Sequence, residues 1–312
     1  MIENLAMPSI PEVTVKSGYQ PQAIDTSLEA DILLFQLLRQ LTPQQKVQRT
    51  RAFHQAVRRL ALLGIKKQHP HATEMEIQQE FIQRCLGAEW IQVLFKALLN
   101  NPNSQDGEQI LIGDPIALAQ KIAEILLPLN IPYVVGGSVA SSLLGENRAT
   151  QDLDIVIALD IQTAPQLIEV MIGEFHISES AVQEAIIKAN ITPCAASFNA
   201  IYLPSIEKVD FFVMSSDDPF ANSVMNRRQL YDIGNNSDGK PTEIYIYSPE
   251  DIVLKKLSCY QLIPDGSQKQ WRDVLGVLKV NREGIDRTYL TQWARILQLT
   301  DLLDTALVQA GF

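Results

Sequence analysis

The stretch VVGGSVASSLLGENRATQDLDIVI, Val134 to Ile157, constrains the fold more than any other part of the chain. In its second half Asp152 and Asp154 alternate with Leu153, Ile155 and Ile157. A period of two marks a half-buried strand, because successive side chains point to opposite faces. Both carboxylates then share one face, and the leucine and isoleucines take the core side. Adjacent carboxylates repel unless a cation lies between them or one takes up a proton. Hard divalent ions choose oxygen ligands, and Mg2+ binds through one or two carboxylates plus substrate phosphates. The competing reading is an exposed strand edge with two solvated aspartates.

Upstream, Ile131 to Val135 reads as a short buried strand running into Gly136-Gly137-Ser138, with a small-residue helix leaving from Ser138. Glycine lets backbone approach a ligand with no Cβ in the way. The helix N-terminus presents unpaired N–H groups to an anion, and the serine hydroxyl adds a donor. Glycine pairs are common in turns, so the turn gains weight from the acidic strand that follows it.

The flanks differ in kind. Residues 1–24 hold three prolines without a period and read as a flexible lead. Residues 25–100 read as an all-helical N-terminal domain. Asp25, Thr26 or Ser27 caps a first helix, Thr42-Pro43 starts a second that Gly64 ends, and Thr73 with Glu76 forms a capping box for a third. The expected stripe of the second helix runs through Val47, Phe53, Val57, Leu60, Ala61 and Leu63. Polar residues at 101–111 read as a linker, and 112–248 as an α/β core. Within that core, helices are expected at Ile116–Leu129 and Ala164–Ile172, and strands at Leu153–Leu159, Ser197–Leu203 and Val209–Met214. Residues 249–312 read as a C-terminal subdomain of four helices. The fold class is α+β.

With 312 residues and a net charge of −10, the chain does not coat nucleic acid by bulk electrostatics. Eight basic and no acidic residues lie between Arg39 and Lys67, which leaves −18 on the remainder. That run is either a solvated helix face or a contact surface for RNA, for the acidic remainder or for a partner. Cys85, Cys194 and Cys259 have no paired spacing and lie away from the four histidines. They point to reduced thiols, with neither a disulfide framework nor a zinc site. The absence of a signal-like N-terminus or long apolar run points to a cytoplasmic protein without membrane contact.

Glycine-glycine-serine, a helix and then an Asp-x-Asp strand resembles the signature of the DNA polymerase beta nucleotidyltransferase superfamily. The variant Arg148-x-Thr150-x-Asp152-Leu153-Asp154 most resembles minimal nucleotidyltransferases, including toxin halves of abortive-infection and toxin–antitoxin pairs. The resemblance covers roughly residues 112–312 and implies a mixed sheet flanked by helices. It also implies a third acidic residue from a neighbouring strand. Asp210 in KVDFFVM is the candidate, ahead of Asp160 at the end of its own strand. Asp152, Asp154 and Asp210 would then be both metal ligands and catalytic residues, with Mg2+ or Mn2+ and no organic cofactor. Gly136, Gly137, Ser138 and Arg148 would bind nucleotide. Lys256 (or Lys255) and Arg272, from an Arg272-Asp273 helix, would contact the triphosphate.

The implied reaction moves a nucleoside monophosphate, adenylate among the options, from a triphosphate to a hydroxyl. The acceptor is RNA, such as a tRNA end, or a protein such as an antitoxin-like partner. A catalytically idle module that binds nucleotide or a partner is the alternative. Trp271, Trp293, Tyr289 and Leu290 read as core, His54 and His176 as surface or satisfied core residues. Arg227-Arg228 fits phosphate binding and simple exposure equally.

Overall fold

The structure, a computed structural model, describes residues 16–88, 90–92, 94, 111–191, 196–235, 239, 241–263 and 267–312. Residues 1–15 of the expected lead, 101–110 of the expected linker and Cys194 lie outside them. The chain forms two compact units. One joins Met1–Leu41, Leu144–Glu146 and Pro249–Phe312, and the other joins Thr42–Leu143 and Asn147–Ser248. The segment expected as a single helical domain, 25–100, is therefore divided between the two.

The larger unit is built on a seven-stranded mixed sheet. Its strands are β1 (Tyr133–Val135), β2 (Asp152–Ile157), β3 (Phe175–Ile177), β4 (Ser197–Tyr202), β5 (Glu207–Val213), β6 (Gln229–Asn235) and β7 (Pro241–Ile246), in the order β3-β4-β5-β2-β1-β7-β6. β2 runs parallel to β5, and β1 parallel to β7; the other neighbours are antiparallel. Leu153, Ile155 and Ile157 of β2 and Val209, Phe211 and Val213 of β5 are buried, as their alternation requires.

The unit's helices are α2 (Pro43–Gln68), α3 (Glu74–Leu86), α4 (Pro115–Leu126), α5 (Gly137–Leu144), α6 (Ala164–Met171), α7 (Glu179–Ala189) and α8 (Pro219–Arg227). Thr42 and Thr73 each cap a helix through a full capping box, satisfying two otherwise orphaned donors apiece. Gly64 does not end α2, which runs on to Gln68. A glycine inside a helix costs only about 1 kcal/mol, and the packing of Leu62 and Ile65 outweighs that.

The buried side of α2 also differs from the expected stripe. Phe53, Leu60 and Leu63 are exposed, and Val47, Thr50, His54, Arg58, Leu62 and Ile65 face inward. The polar residues on that side are tolerated because Arg58 is satisfied: its Nε donates to the Leu111 carbonyl at 2.6 Å, and its guanidinium stacks over Phe81. Leu62, Ile65, Ile77, Phe81 and Ile82 form one core cluster with Leu111, Ile201 and Ile206. Helices α2 and α3 thus belong to the sheet unit and are not an appendage.

In the smaller unit, α1 (Leu28–Gln40) joins α9 (Pro249–Leu262), α10 (Gln268–Val280), α11 (Arg287–Ile296) and α12 (Thr300–Gln309). Ser27 caps α1 by accepting from Ala30 N–H. Phe35 and Leu38 pack on Val280. Beside them Lys279 and Asp31 form a fully buried ion pair at 2.8 Å, and the Lys279 ammonium also donates to the Gln20 carbonyl. Leu290 is core, and Trp271 and Tyr289 are held by polar tips on Gln309 and Asp251. Among the described residues, no helix is long and apolar enough to cross a membrane.

Candidate functional site

The site is assembled by the parallel register of β2 and β5. Asp154 stands opposite Asp210, and Asp152 opposite Lys208. In a parallel ladder, residues in register point to the same face, so Asp152, Asp154, Lys208 and Asp210 share one. Asn199, opposite Asp210 on β4, donates its Nδ2 to Asp210 Oδ1 at 3.1 Å. Thr150 donates to the Asp152 carbonyl at 2.9 Å and to its carboxylate at 3.3 Å.

On the other side of β2, strand β1 delivers the glycine turn. Gly136 N–H donates to the Asp154 carbonyl at 2.9 Å. Gly137 has φ of +55°, and a Cβ built on it would lie 1.6 Å from Asp154 Oδ2. Glycine is required there twice over, for the left-handed backbone and for the carboxylate pressed against it. Helix α5 begins at this residue. Ser138, in its first turn, is buried and accepts a hydrogen bond from the Arg148 guanidinium. A helix N-terminus, a hydroxyl and a guanidinium thus converge, as an anion site needs.

Lys208 is the site residue that the sequence reading missed. Its ammonium lies 2.8 Å from Asp210 Oδ2 and 3.7 Å from Asp152 Oδ2. Burial penalises the charge, but the bond to Asp210 and the negative charges of Asp210, Asp152 and Asp154 outweigh it and raise the lysine pKa. Burial raises the Asp210 pKa, and the neighbouring Asp152 adds to the rise; Lys208 opposes it only in part. The Lys-x-Asp spacing, which shares a strand face just as Asp152-x-Asp154 does, was the available signal.

Three carboxylates on one face are the hard oxygen donors that Mg2+ or Mn2+ takes, so the residues fit such an ion in kind. Among the described residues no group of three or more His, Cys, Asp or Glu side chains forms an assembled metal centre. The cation seated among these carboxylates is Lys208. A cavity of about 180 Å³, lined by Cys85, Leu86, Trp90, Gln151, Asp152, Asn199 and Lys208, opens beside them. A larger cavity, about 630 Å³, follows Arg287–Ile296 and has no carboxylate in its lining.

The other candidates sit as follows. Asp160 accepts from the Gln162 and Thr163 N–H groups and stabilises a turn. Lys256 and Arg272 belong to the smaller unit. Lys256 forms a buried ion pair with Asp273 at 2.8 Å, and Arg272 a two-pronged pair with Glu146 at 2.8 and 3.0 Å. Lys255 is exposed. Of the basic run, Arg58 is buried, Arg51 pairs with Asp114 at 2.9 Å and Arg39, though exposed, donates to the Lys279 carbonyl; Arg49, Arg59 and Lys67 are exposed as well. His54 is buried with Nε2 unbonded among the described residues, and His176 is exposed, edge-on to Trp90. Arg228 stacks over Tyr245.

Residues 39–107 match the family model of the Rv0078B-related antitoxins. Two solved structures are similar over 64% of this chain. One is an antigenic nucleotidyltransferase-like protein from Paracoccidioides brasiliensis, with 18% identity, 93% of that chain covered and a TM-score of 0.39. The other is JHP933 from Helicobacter pylori, with 15% identity, 90% covered and a TM-score of 0.32. No curated protein matches the chain.

Proposed function

We propose that the chain is a metal-dependent nucleotidyltransferase of the polymerase beta type, acting in a toxin–antitoxin setting. The observation that carries this reading is the register of β2 and β5, which sets Asp210 beside Asp154 and Asp152, next to the Gly136–Gly137 turn. Lys208 offsets only part of the mutual repulsion of three carboxylates, a concentration of charge that a structural role alone does not require.

Asp152, Asp154 and Asp210 would hold Mg2+ or Mn2+. Bound there, the ion would neutralise charge on the triphosphate. The backbone N–H groups at Gly137 and Ser138 bind the outer phosphates, and Arg148 balances charge on the departing pyrophosphate. An acceptor hydroxyl oxygen attacks the α-phosphorus from the side away from pyrophosphate. The new O–P bond forms as the bond to the α,β-bridging oxygen breaks, and the hydroxyl proton passes to a carboxylate. We assign that proton to Asp210, which lies on β5 beside Asn199 and Lys208.

RNA and protein acceptors both fit this chemistry. The antitoxin-family match over 39–107 also favours a second reading, a module that binds a protein partner without turning over nucleotide. Incubation with each α-labelled nucleoside triphosphate, Mg2+ or Mn2+, and total RNA or lysate separates the two. The enzyme reading expects label on one acceptor class, lost in Asp154→Asn and Asp210→Asn. Folded protein that labels nothing with any triphosphate supports the partner-binding module.

A further inference from the structure

Three carboxylates and one ammonium share a face of β2 and β5, and the ammonium is not a casual visitor. Lys208 stands opposite Asp152 in the ladder and two residues before Asp210. Its side chain cannot leave that face without a shift of register, which would turn Val209 and Phe211 out of the core. The side chain is 23% exposed, and its Nζ contacts two of the carboxylates at 2.8 and 3.7 Å. With the ammonium included, the cluster carries a charge of −2, which one divalent ion neutralises. A second divalent ion would meet Lys208 as a like charge at close range.

The strand order also gives Lys208 a side. The Gly136–Gly137 turn follows β1 on one flank of β2, whereas Lys208 lies on β5, on the other. The phosphate-binding turn is therefore nearest Asp154, and the lysine is nearest Asp210 and the cavity lined by Leu86, Trp90 and Asn199.

We propose that Lys208 is the second cation of this site: its ammonium takes, on the Asp210 side, the place of one ion of a two-metal clamp, and the chain works with a single divalent ion. The proposal rests on the metal-dependent reading above. In a two-metal clamp the ions stabilise the attacking and the leaving oxygens. Here the divalent ion serves the phosphate side, and Lys208 stabilises the acceptor oxygen as it loses its proton. Lys208 acts as a fixed charge and transfers no proton in this scheme.

The test counts ions and not turnover. Full-length protein is titrated with Mn2+ in the absence of nucleotide, and bound ion is read by electron paramagnetic resonance, with circular dichroism to confirm the fold. Wild type and Lys208→Arg are expected to bind one Mn2+ per chain. Lys208→Met and Lys208→Gln, two neutral variants that differ in polarity, are expected to bind two, and Asp154→Asn is expected to lose binding. Two ions in wild type, both lost in Asp154→Asn, would overturn the role of Lys208 and leave the metal reading standing. Equal counts in wild type and the neutral variants would overturn it as well. No Mn2+ bound by wild type or by a folded neutral variant would overturn the inference, and none bound when a non-hydrolysable nucleoside triphosphate is added would overturn the metal reading with it.

Discussion

Replacing Gly137 by alanine tests the site's geometry without requiring turnover. The new Cβ would lie 1.6 Å from Asp154 Oδ2, 2.4 Å from its Cγ and 2.7 Å from its Cβ. Either the carboxylate rotates away or the turn moves. Holding alanine at φ +55° costs roughly 1–2 kcal/mol, and overpacking of this kind adds roughly 1–3 kcal/mol. The single variant should therefore lose about 3 kcal/mol. In an Asp154→Gly background all three of those atoms are gone. The same glycine change should then cost little more than the dihedral strain, giving a coupling energy of about 1–2 kcal/mol. Urea unfolding of the four proteins measures it, provided the slope with denaturant stays constant across the set. Additivity to within about 0.3 kcal/mol would mean that turn and carboxylate do not touch, and the site built on that contact would fall.

Two further predictions concern buried charge. Burial, with the nearby Arg58 charge, lowers the His54 pKa from 6.5 to about 4. Its protonation therefore favours the unfolded chain. The neutral ring carries no penalty above pH 6.5, stability falls between pH 6.5 and 4 by up to about 3 kcal/mol, and this contribution is flat below pH 4. His54→Leu should lose that slope when denaturant midpoints are compared across pH, and an unchanged slope counts against the assignment. In the smaller unit, Lys279→Met leaves Asp31 buried without its ion partner and should cost about 3–5 kcal/mol, whereas a Lys279→Met/Asp31→Leu double variant should recover most of it. A melt in which the single change costs under about 1 kcal/mol would show that water reaches the pair.

Local signals account for what the sequence determined by itself. The capping boxes at Thr42 and Thr73 and the Asp114-Pro115 start are settled within a few residues, and the helices begin where those residues predict. The alternation at 152–157 likewise made β2 legible, because a strand's two faces are written in consecutive positions. Asp218-Pro219 carries the same start signal as Asp114-Pro115 and could have revealed α8. By contrast, β6 (QLYDIGN) and the strand pairing β1 with β7 offered no clean period. β6 is a half-exposed edge strand whose place comes from its neighbour.

Only the tertiary structure decided the rest. Helical spacing on α2 could not say which side is buried, since Phe53, Leu60 and Leu63 fit a stripe as well as Leu62 and Ile65 do. Burial went to the side where Arg58 finds the Leu111 carbonyl and the Phe81 ring. The basic run was visible as charge, but only packing took Arg58 off the surface and gave Arg51 and Arg39 their partners in Asp114 and the Lys279 carbonyl. Lys208 shows the difference most sharply. Sequence places it two residues from Asp210, but its contact with Asp152, 56 positions away, exists only because β2 and β5 pair in parallel at one register. Side-chain alternation is a property of the chain, whereas the partner across a ladder is a property of the packed sheet.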